Sequence, residues 1–155
     1  MRANPLIFKI SHVVHTERFA AHVVGCGRFL MALEDGEWWA NGVQPGPIAG
    51  GGETPALAFE DFQVRFRKVL EDFANESESC QEFEERATRF FGQVDIDGEQ
   101  VWSAAAEELN HGGELEPPFR DLPTFEDEFR DEVTVEDLEG FVHTEGYLAL
   151  PPKAA

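Results

Sequence analysis

Residues 36–59 read GEWWANGVQPGPIAGGGETPALAF, and this stretch decides the fold that we expect. Its apolar run at residues 37–40 follows another at residues 29–33, with Asp35-Gly36 between them. An Asp-Gly step between two apolar runs predicts a β-hairpin. Five glycines and two prolines then lie within residues 41–52, which predicts a sharp change of direction after the second strand.

A long helix is predicted next, because Thr54 is a good N-cap and Pro55 suits the first helical position. Apolar residues then recur at three- and four-residue steps and predict a helix over residues 55–73 with one apolar stripe. Ser79 followed by Glu82 is a capping-box pattern, which predicts a second helix over residues 79–92. The residues of the first stripe are Phe59, Phe62, Phe66, Val69, Leu70 and Phe73.

Before this central stretch, the pattern of apolar residues predicts strands over residues 6–14 and 18–24. A turn at Asp95–Gly98 and a short third helix over residues 101–109 are also expected. The predicted fold class is therefore α+β: a mainly antiparallel sheet of three or four strands with one long helix packed on it and extra helices.

The net charge of −19 is distributed unevenly, because residues 74–155 hold 22 of the 31 acids but only five of the 12 bases. This charge disfavours binding to nucleic acid or to an anionic membrane surface. We therefore expect an α+β module with its following helix over residues 1–92, a short helix and linker over 93–113, and an acidic extension over 114–155. A small hairpin is expected within residues 141–150 of that extension.

Aromatic residues beside acids are the candidate contacts with a protein partner. Trp38 and Trp39 lie on one predicted strand, so one ring is expected to face the core and the other a partner or solvent. In the extension, single aromatic rings alternate with acids. The predicted partner-binding residues are Trp38, Trp39, Phe119, Phe125, Phe129, Glu126, Asp127 and Glu128.

The sequence contains three partial matches to ligand-binding motifs, and none of them is complete. His12, His15, His22 and Cys26 offer zinc-ligand atoms, but their spacing on strands is poor. Asp95-x-Asp97-x-Glu99 opens like a calcium loop but lacks the required later glycine and glutamate. The glycines of residues 46–52 lead to Glu53 rather than to a phosphate-binding lysine. We therefore assign no catalytic, metal or cofactor residue, and the sequence favours a binding module over an enzyme.

Residues 36–59 resemble the core of the HicB-like family, in which a strand, a Pro-Gly turn and a short strand lead through Gly-x-Thr into a helix. Pro45-Gly46 matches the turn, Gly52-Glu53-Thr54 matches Gly-x-Thr, and Ala58 takes the early helical alanine. The resemblance covers about residues 5–75. It implies a truncated ribonuclease H-like sheet crossed by one helix, and an antitoxin that neutralises a small basic RNA-cleaving protein. The acidic second half differs from the DNA-binding domain that many members carry.

Three functional hypotheses follow. The first is a non-catalytic interaction module that binds a basic protein through an acidic surface and forms a homodimer through its edge strands. The second is a small metal-dependent hydrolase or nuclease that uses clustered carboxylates, and the third is a salt-adapted structural protein. Two cysteines 54 positions apart, no visible secretory signal and no apolar run of 18 residues favour a cytoplasmic protein outside the membrane.

Overall fold

The computed structural model describes residues 3–112 and 129–138, and it confirms the α+β class. The strands are β1 (Ala3–His15), β2 (Ala20–Glu34), β3 (Glu37–Gln44), β4 (Ala49–Gly52) and β5 (Val133–Asp137). The helices are α1 (Pro55–Glu76), α2 (Cys80–Phe91) and α3 (Ile96–Asn110).

The strands pair antiparallel in the order β1-β2-β3-β4, and β2 is the organising strand. Along one edge β2 pairs with the whole of β1. Along its other edge it takes two partners, β5 at residues 21–25 and β3 at residues 28–34. The predicted hairpin is confirmed: Asp35 and Gly36 have φ angles of 51° and 79°, left-handed values that suit an Asp-Gly turn.

β2 joins two segments that the sequence predicts as separate strands, residues 18–24 and 29–33. The glycines between them do not end the strand. A Cβ on Gly25 would lie 2.4 Å from Phe91 Cε1, and one on Gly27 would lie 2.4 Å from Phe8 Cε1. These glycines therefore leave room for aromatic rings to lie directly on the strand, which a sequence pattern cannot distinguish from a turn.

The inner face of the sheet, which carries Leu6 and Phe8 of β1, is covered by α1 and α2. Phe62, Phe66 and Leu70 of the predicted α1 stripe are fully buried, and its other members are half-buried. Phe8 packs edge-on against two of them, with ring centroids 5.1 Å from Phe62 and 5.4 Å from Phe66. The core is therefore largely an aromatic layer between the sheet and two helices.

The N-terminal half of α1 lies very close to β4. A Cβ on Gly50 would be 2.3 Å from the backbone nitrogen of Phe62, so only glycine fits. Asp61 Oδ2 accepts a hydrogen bond of 3.0 Å from the Gly51 N–H on this edge strand. The side chain thus occupies a backbone donor that a foreign strand would otherwise use.

α3 begins at Ile96, five residues before the predicted start, because the expected turn at residues 95–98 is its capped first turn. Asp95 is the N-cap, and its Oδ2 accepts from the Gly98 N–H at 3.1 Å. The helix packs on the outer face of the sheet, where Trp102 Nε1 donates to the Leu6 carbonyl at 3.1 Å. The structure therefore has helices on both faces of the sheet.

Residues 133–137 correct the expectation that the acidic extension is separate from the module. They form β5, whose Val133 and Val135 pack against the core, and Leu138 is 1% exposed. Apolar residues at alternate positions of this short segment provide the driving force. The predicted hairpin at 141–150 lies outside the described residues.

Candidate functional site

Arg28 of β2 forms the most heavily bonded polar cluster. It is the only buried charged side chain among the described residues, with 8% of its surface exposed. Its guanidinium pairs with the Glu99 carboxylate of α3 and donates to Gln44 Oε1 at 2.9 Å. The rings of Trp102 and Phe129 lie 5.0 Å and 4.8 Å from its Cζ. The cation is thus both paired and flanked by aromatic rings.

The Arg28 cluster joins distant parts of the chain. Gln44 Nε2 donates in turn to Asp131 Oδ1 at 2.9 Å, which ties residues 129–131 to the end of β3. Within the described ranges, two buried side-chain atoms lack a hydrogen-bond partner, Arg28 Nε and Glu99 Oε2, and both belong to this cluster. A buried charge is tolerated when such partners surround it. We therefore interpret this cluster as the anchor of α3 and of the segment before β5.

A groove of about 460 Å³ lies on the outer face, on the half of β2 that pairs with β5. Lys9 and Cys26 face each other across the β1–β2 ladder, and Val24 lies between Ser11 and Thr134 in the register. The groove therefore has one apolar side chain among polar walls. Its lining residues are Lys9, Val24, Gly25, Cys26, Arg130, Glu132 and Thr134.

Ser11 and His22 form a hydrogen bond that sequence reasoning missed. Ser11 Oγ lies 2.7 Å from His22 Nε2, although eleven positions separate the two residues. Only the β1–β2 register brings them together, so no spacing rule could have found them. Glu136 is the register partner of His22 on β5. Neither Ser11 nor His22 lines the neighbouring groove.

An exposed apolar patch lies where the β2–β3 hairpin meets the start of α1, at an end of the sheet that also carries three glutamates. Leu33 is 46% exposed and Leu57 is 48% exposed. Trp38 is the register partner of Leu33 and of Gly52, and a Cβ on Gly52 would lie 2.8 Å from Leu57 Cβ. At the same end of the sheet, Glu53 is exposed just before α1, and Glu34 and Glu37 are exposed on the outer side of the hairpin, opposite to Leu33 and Trp38. We call these six residues the acid-rimmed patch.

The predicted partner-binding residues fall in three different places. Trp38 is half-buried, packs against the core and belongs to the acid-rimmed patch. Trp39 is also half-buried but lies on the outer face over Gly51. Phe129 lies against Arg28 instead of forming a free anchor. The remaining ones lie outside the described residues: Phe119, Phe125, Glu126, Asp127 and Glu128.

The histidines and cysteines weighed for zinc do not converge. His12 lies 3.2 Å from the Glu71 carboxylate, His22 bonds to Ser11, and His15 is exposed. Cys26 and Cys80 are not joined by a disulfide bond. Over residues 3–112 and 129–138, no group of three or more His, Cys, Asp or Glu side chains could hold a metal ion.

Two carboxylates have altered acidity for structural reasons. The Gly51 N–H, followed by Arg65, lowers the pKa of the Asp61 carboxyl. The Glu78 N–H, followed by Arg86, lowers the pKa of the Glu82 carboxyl at the start of α2. The Ser79 half of the predicted capping box is present, since Ser79 Oγ accepts from the Glu82 N–H at 3.2 Å, whereas the Glu82 carboxylate accepts from the Glu78 N–H. Both carboxylates hold backbone donors in place.

Comparisons with protein families, with curated proteins and with solved structures found no match. Among the helices that the structure describes, none is long and apolar enough to cross a membrane. The arguments about function therefore come from the chain itself.

Proposed function

We propose that the protein is a non-catalytic interaction module that binds a basic protein partner through the acid-rimmed patch. The observation that carries this proposal is the exposure of Leu33 and Leu57, 46% and 48%, beside Trp38 at an end of the sheet that also carries three exposed glutamates. An apolar centre with a charged rim is the usual composition of a protein–protein interface. Carboxylates in that rim select a partner that carries lysine or arginine around an apolar residue.

The overall charge of the chain also favours a basic partner. With a net charge of −19, the protein attracts a basic partner over several ångströms and accelerates its encounter. Salt shortens the range of this attraction, so association becomes slower as ionic strength rises. The apolar contact at Leu33 and Leu57 is insensitive to screening and slows dissociation. The two kinds of residue should therefore affect different rate constants.

An antitoxin-like role is the finer proposal, and it rests on the resemblance to the HicB-like family. In its support, β3, the Pro45-Gly46 turn, β4 and the Thr54 N-cap follow one another in the order of the motif. Ala58 is fully buried where α1 crosses the sheet. The partner would then be a small basic RNA-cleaving protein.

The test is a capture experiment from the source cells at low and high salt, followed by binding kinetics with the purified partner. The rim variant Glu34→Gln/Glu37→Gln/Glu53→Gln should associate about ten-fold more slowly at low salt. The patch variant Leu33→Ser/Leu57→Ser should dissociate faster. The matched control Glu84→Gln/Glu85→Gln/Glu108→Gln removes three exposed carboxylates of α2 and α3 and should bind as the wild type does.

Equal losses in the rim variant and the matched control would show that only the total charge matters, and would support salt adaptation instead. Capture of no basic protein at low salt would overturn the proposal. The hydrolase alternative has no supporting observation in the described ranges.

Homodimerisation is proposed through the outer edge of β1. This strand has 13 residues and pairs only with β2 among the described strands. It contains no carboxylate, so two copies can approach along it with little repulsion despite their total charge. Light scattering after gel filtration should give twice the chain mass. A single-chain mass across the micromolar range would contradict this proposal.

A further inference from the structure

The groove on the outer face differs in charge from the rest of the molecule. Lys9 and Arg130 both line it, in a chain that has 31 acids and only 12 bases. Neither side chain forms an ion pair within the described ranges, whereas Arg65, Lys68 and Arg86 each pair with a neighbouring carboxylate. The charge of these two residues is therefore available to a ligand.

The other walls add a polar donor and an apolar surface. Val24, 44% exposed, provides the apolar contact, and Thr134 provides a hydroxyl. Glu132 also lines the groove, so two cations face one carboxylate there. A volume of about 460 Å³ lies within the range of sites for small organic molecules.

We propose that this groove binds a small organic anion, with its charged group at Lys9 and Arg130 and its apolar body on Val24. The site is separate from the acid-rimmed patch. The patch lies at the hairpin end of β2, with its apolar side chains on the inner face, whereas the groove lies on the outer face where β2 pairs with β5. The two proposals can therefore fail independently.

Cys26 provides a chemical reporter, because its thiol lies in the wall of the groove and is half-buried. In thiol–disulfide exchange its thiolate attacks one sulfur of an aromatic disulfide, a mixed disulfide forms and the second aryl thiolate leaves. The released thiolate is measured by its absorbance. The acidic surface of the protein should repel a disulfide that carries carboxylates and slow its reaction. If the groove binds the anion first, this disulfide should react with Cys26 faster than that repulsion predicts.

The experiment compares 5,5′-dithiobis(2-nitrobenzoate), which is anionic, with neutral 2,2′-dithiodipyridine. The Cys80→Ser variant isolates Cys26, and the Cys26→Ser variant isolates Cys80. We expect the ratio of anionic to neutral rate to be about ten-fold higher for Cys26, since the rest of the surface repels the anion. Lys9→Gln and Arg130→Gln should each lower the ratio of anionic to neutral rate about five-fold, because both reagents react with the same thiolate and only the anion is bound by the cations.

Two controls make the result specific. Arg67→Gln changes the net charge equally on an exposed position of α1 and should have no effect on either rate at Cys26. Benzoate, which cannot react with a thiol, should slow the neutral reagent at Cys26 in a saturable manner. Equal rate ratios at the two cysteines, or a Lys9→Gln effect no larger than that of Arg67→Gln, would overturn the proposal.

Discussion

Two arginines on the outer side of the sheet have opposite environments. Arg28 is buried between aromatic rings and bonds to Glu99 and Gln44. Arg130, in the segment that continues into β5, is exposed on a groove without a carboxylate partner in the described ranges. On one half of this face, Arg28 holds α3 in place through its ion pair. On the other half, Lys9 and Arg130 line a groove where their charges can contact a ligand.

The largest effect should come from removing the buried cation. Arg28→Ala leaves the Glu99 carboxylate without its partner and opens a space between two rings, so we expect about 3 kcal/mol less stability. Arg130→Ala should change stability by no more than about 0.5 kcal/mol. Urea unfolding followed by circular dichroism measures both values. Similar losses in the two variants would remove the distinction between the halves.

The second test asks whether the open half of the face belongs to the same cooperative unit. Leu138→Ala removes a side chain that is 1% exposed just after β5, and we expect a loss of about 3 kcal/mol. Glu136→Ala, at an exposed position on the same strand, is the control and should be nearly neutral. If Leu138→Ala were as neutral as its control, β5 would be an attachment that melts separately.

A smaller effect is expected from Trp102 on the covered half. Trp102→Phe keeps an aromatic ring beside Arg28 but loses the hydrogen bond from Nε1 to the Leu6 carbonyl. We expect a loss of about 1 kcal/mol, since one hydrogen bond disappears and the stacking weakens. Thermal unfolding can resolve this difference. No change in the midpoint would mean that water replaces the indole donor without cost.

The smallest expected change in stability concerns β4, where the Asp61 carboxylate accepts from the Gly51 N–H. Asp61→Asn should lower stability by about 1 kcal/mol at pH 7, because the charged acceptor of the Gly51 N–H is lost. The pKa of Asp61 is lowered in the folded state, so its contribution is complete above the ordinary value of 3.8 and disappears as the pH falls through the folded pKa.

The difference between Asp61→Asn and the wild type should therefore shrink as the pH falls from 7 to about 3. Asp72→Asn, an exposed carboxylate 3.8 Å from Lys68, is the matched control and should change stability by less than about 0.5 kcal/mol at either pH. A pH-independent difference would show that Asp61 acts through packing alone.

Local signals in the sequence predicted much of the fold. The Asp35-Gly36 hairpin, the Thr54 N-cap and the Ser79 cap each depend on residues within four positions, and the structure confirms them. Two element boundaries were predicted wrongly. Gly25 and Gly27 lie under aromatic rings, a tertiary contact that lets β2 continue through them. Asp95 caps α3 through the Gly98 N–H, a local contact that the sequence analysis assigned to a turn.

The sites were harder to predict, because they depend on register. Trp38 was selected from sequence, but its apolar neighbours Leu33 and Leu57 become a patch only once β2, β3 and α1 are assembled. The groove requires β5, which lies more than a hundred positions after Val24 in the chain and whose only local strand signal is the short alternation of Val133 and Val135 before two acids. Pairings over such distances leave no periodic trace in the sequence.

The carboxylate on Gly51 also limits how copies of this protein can join. A sheet grows into a fibre only if strands can be added on two sides, but here β4 is occupied by Asp61, and β5 is five residues long with two acids of its own. Of the edges that the structure describes, β1 alone is long and free of carboxylates. Strand addition between copies would therefore stop at a closed pair.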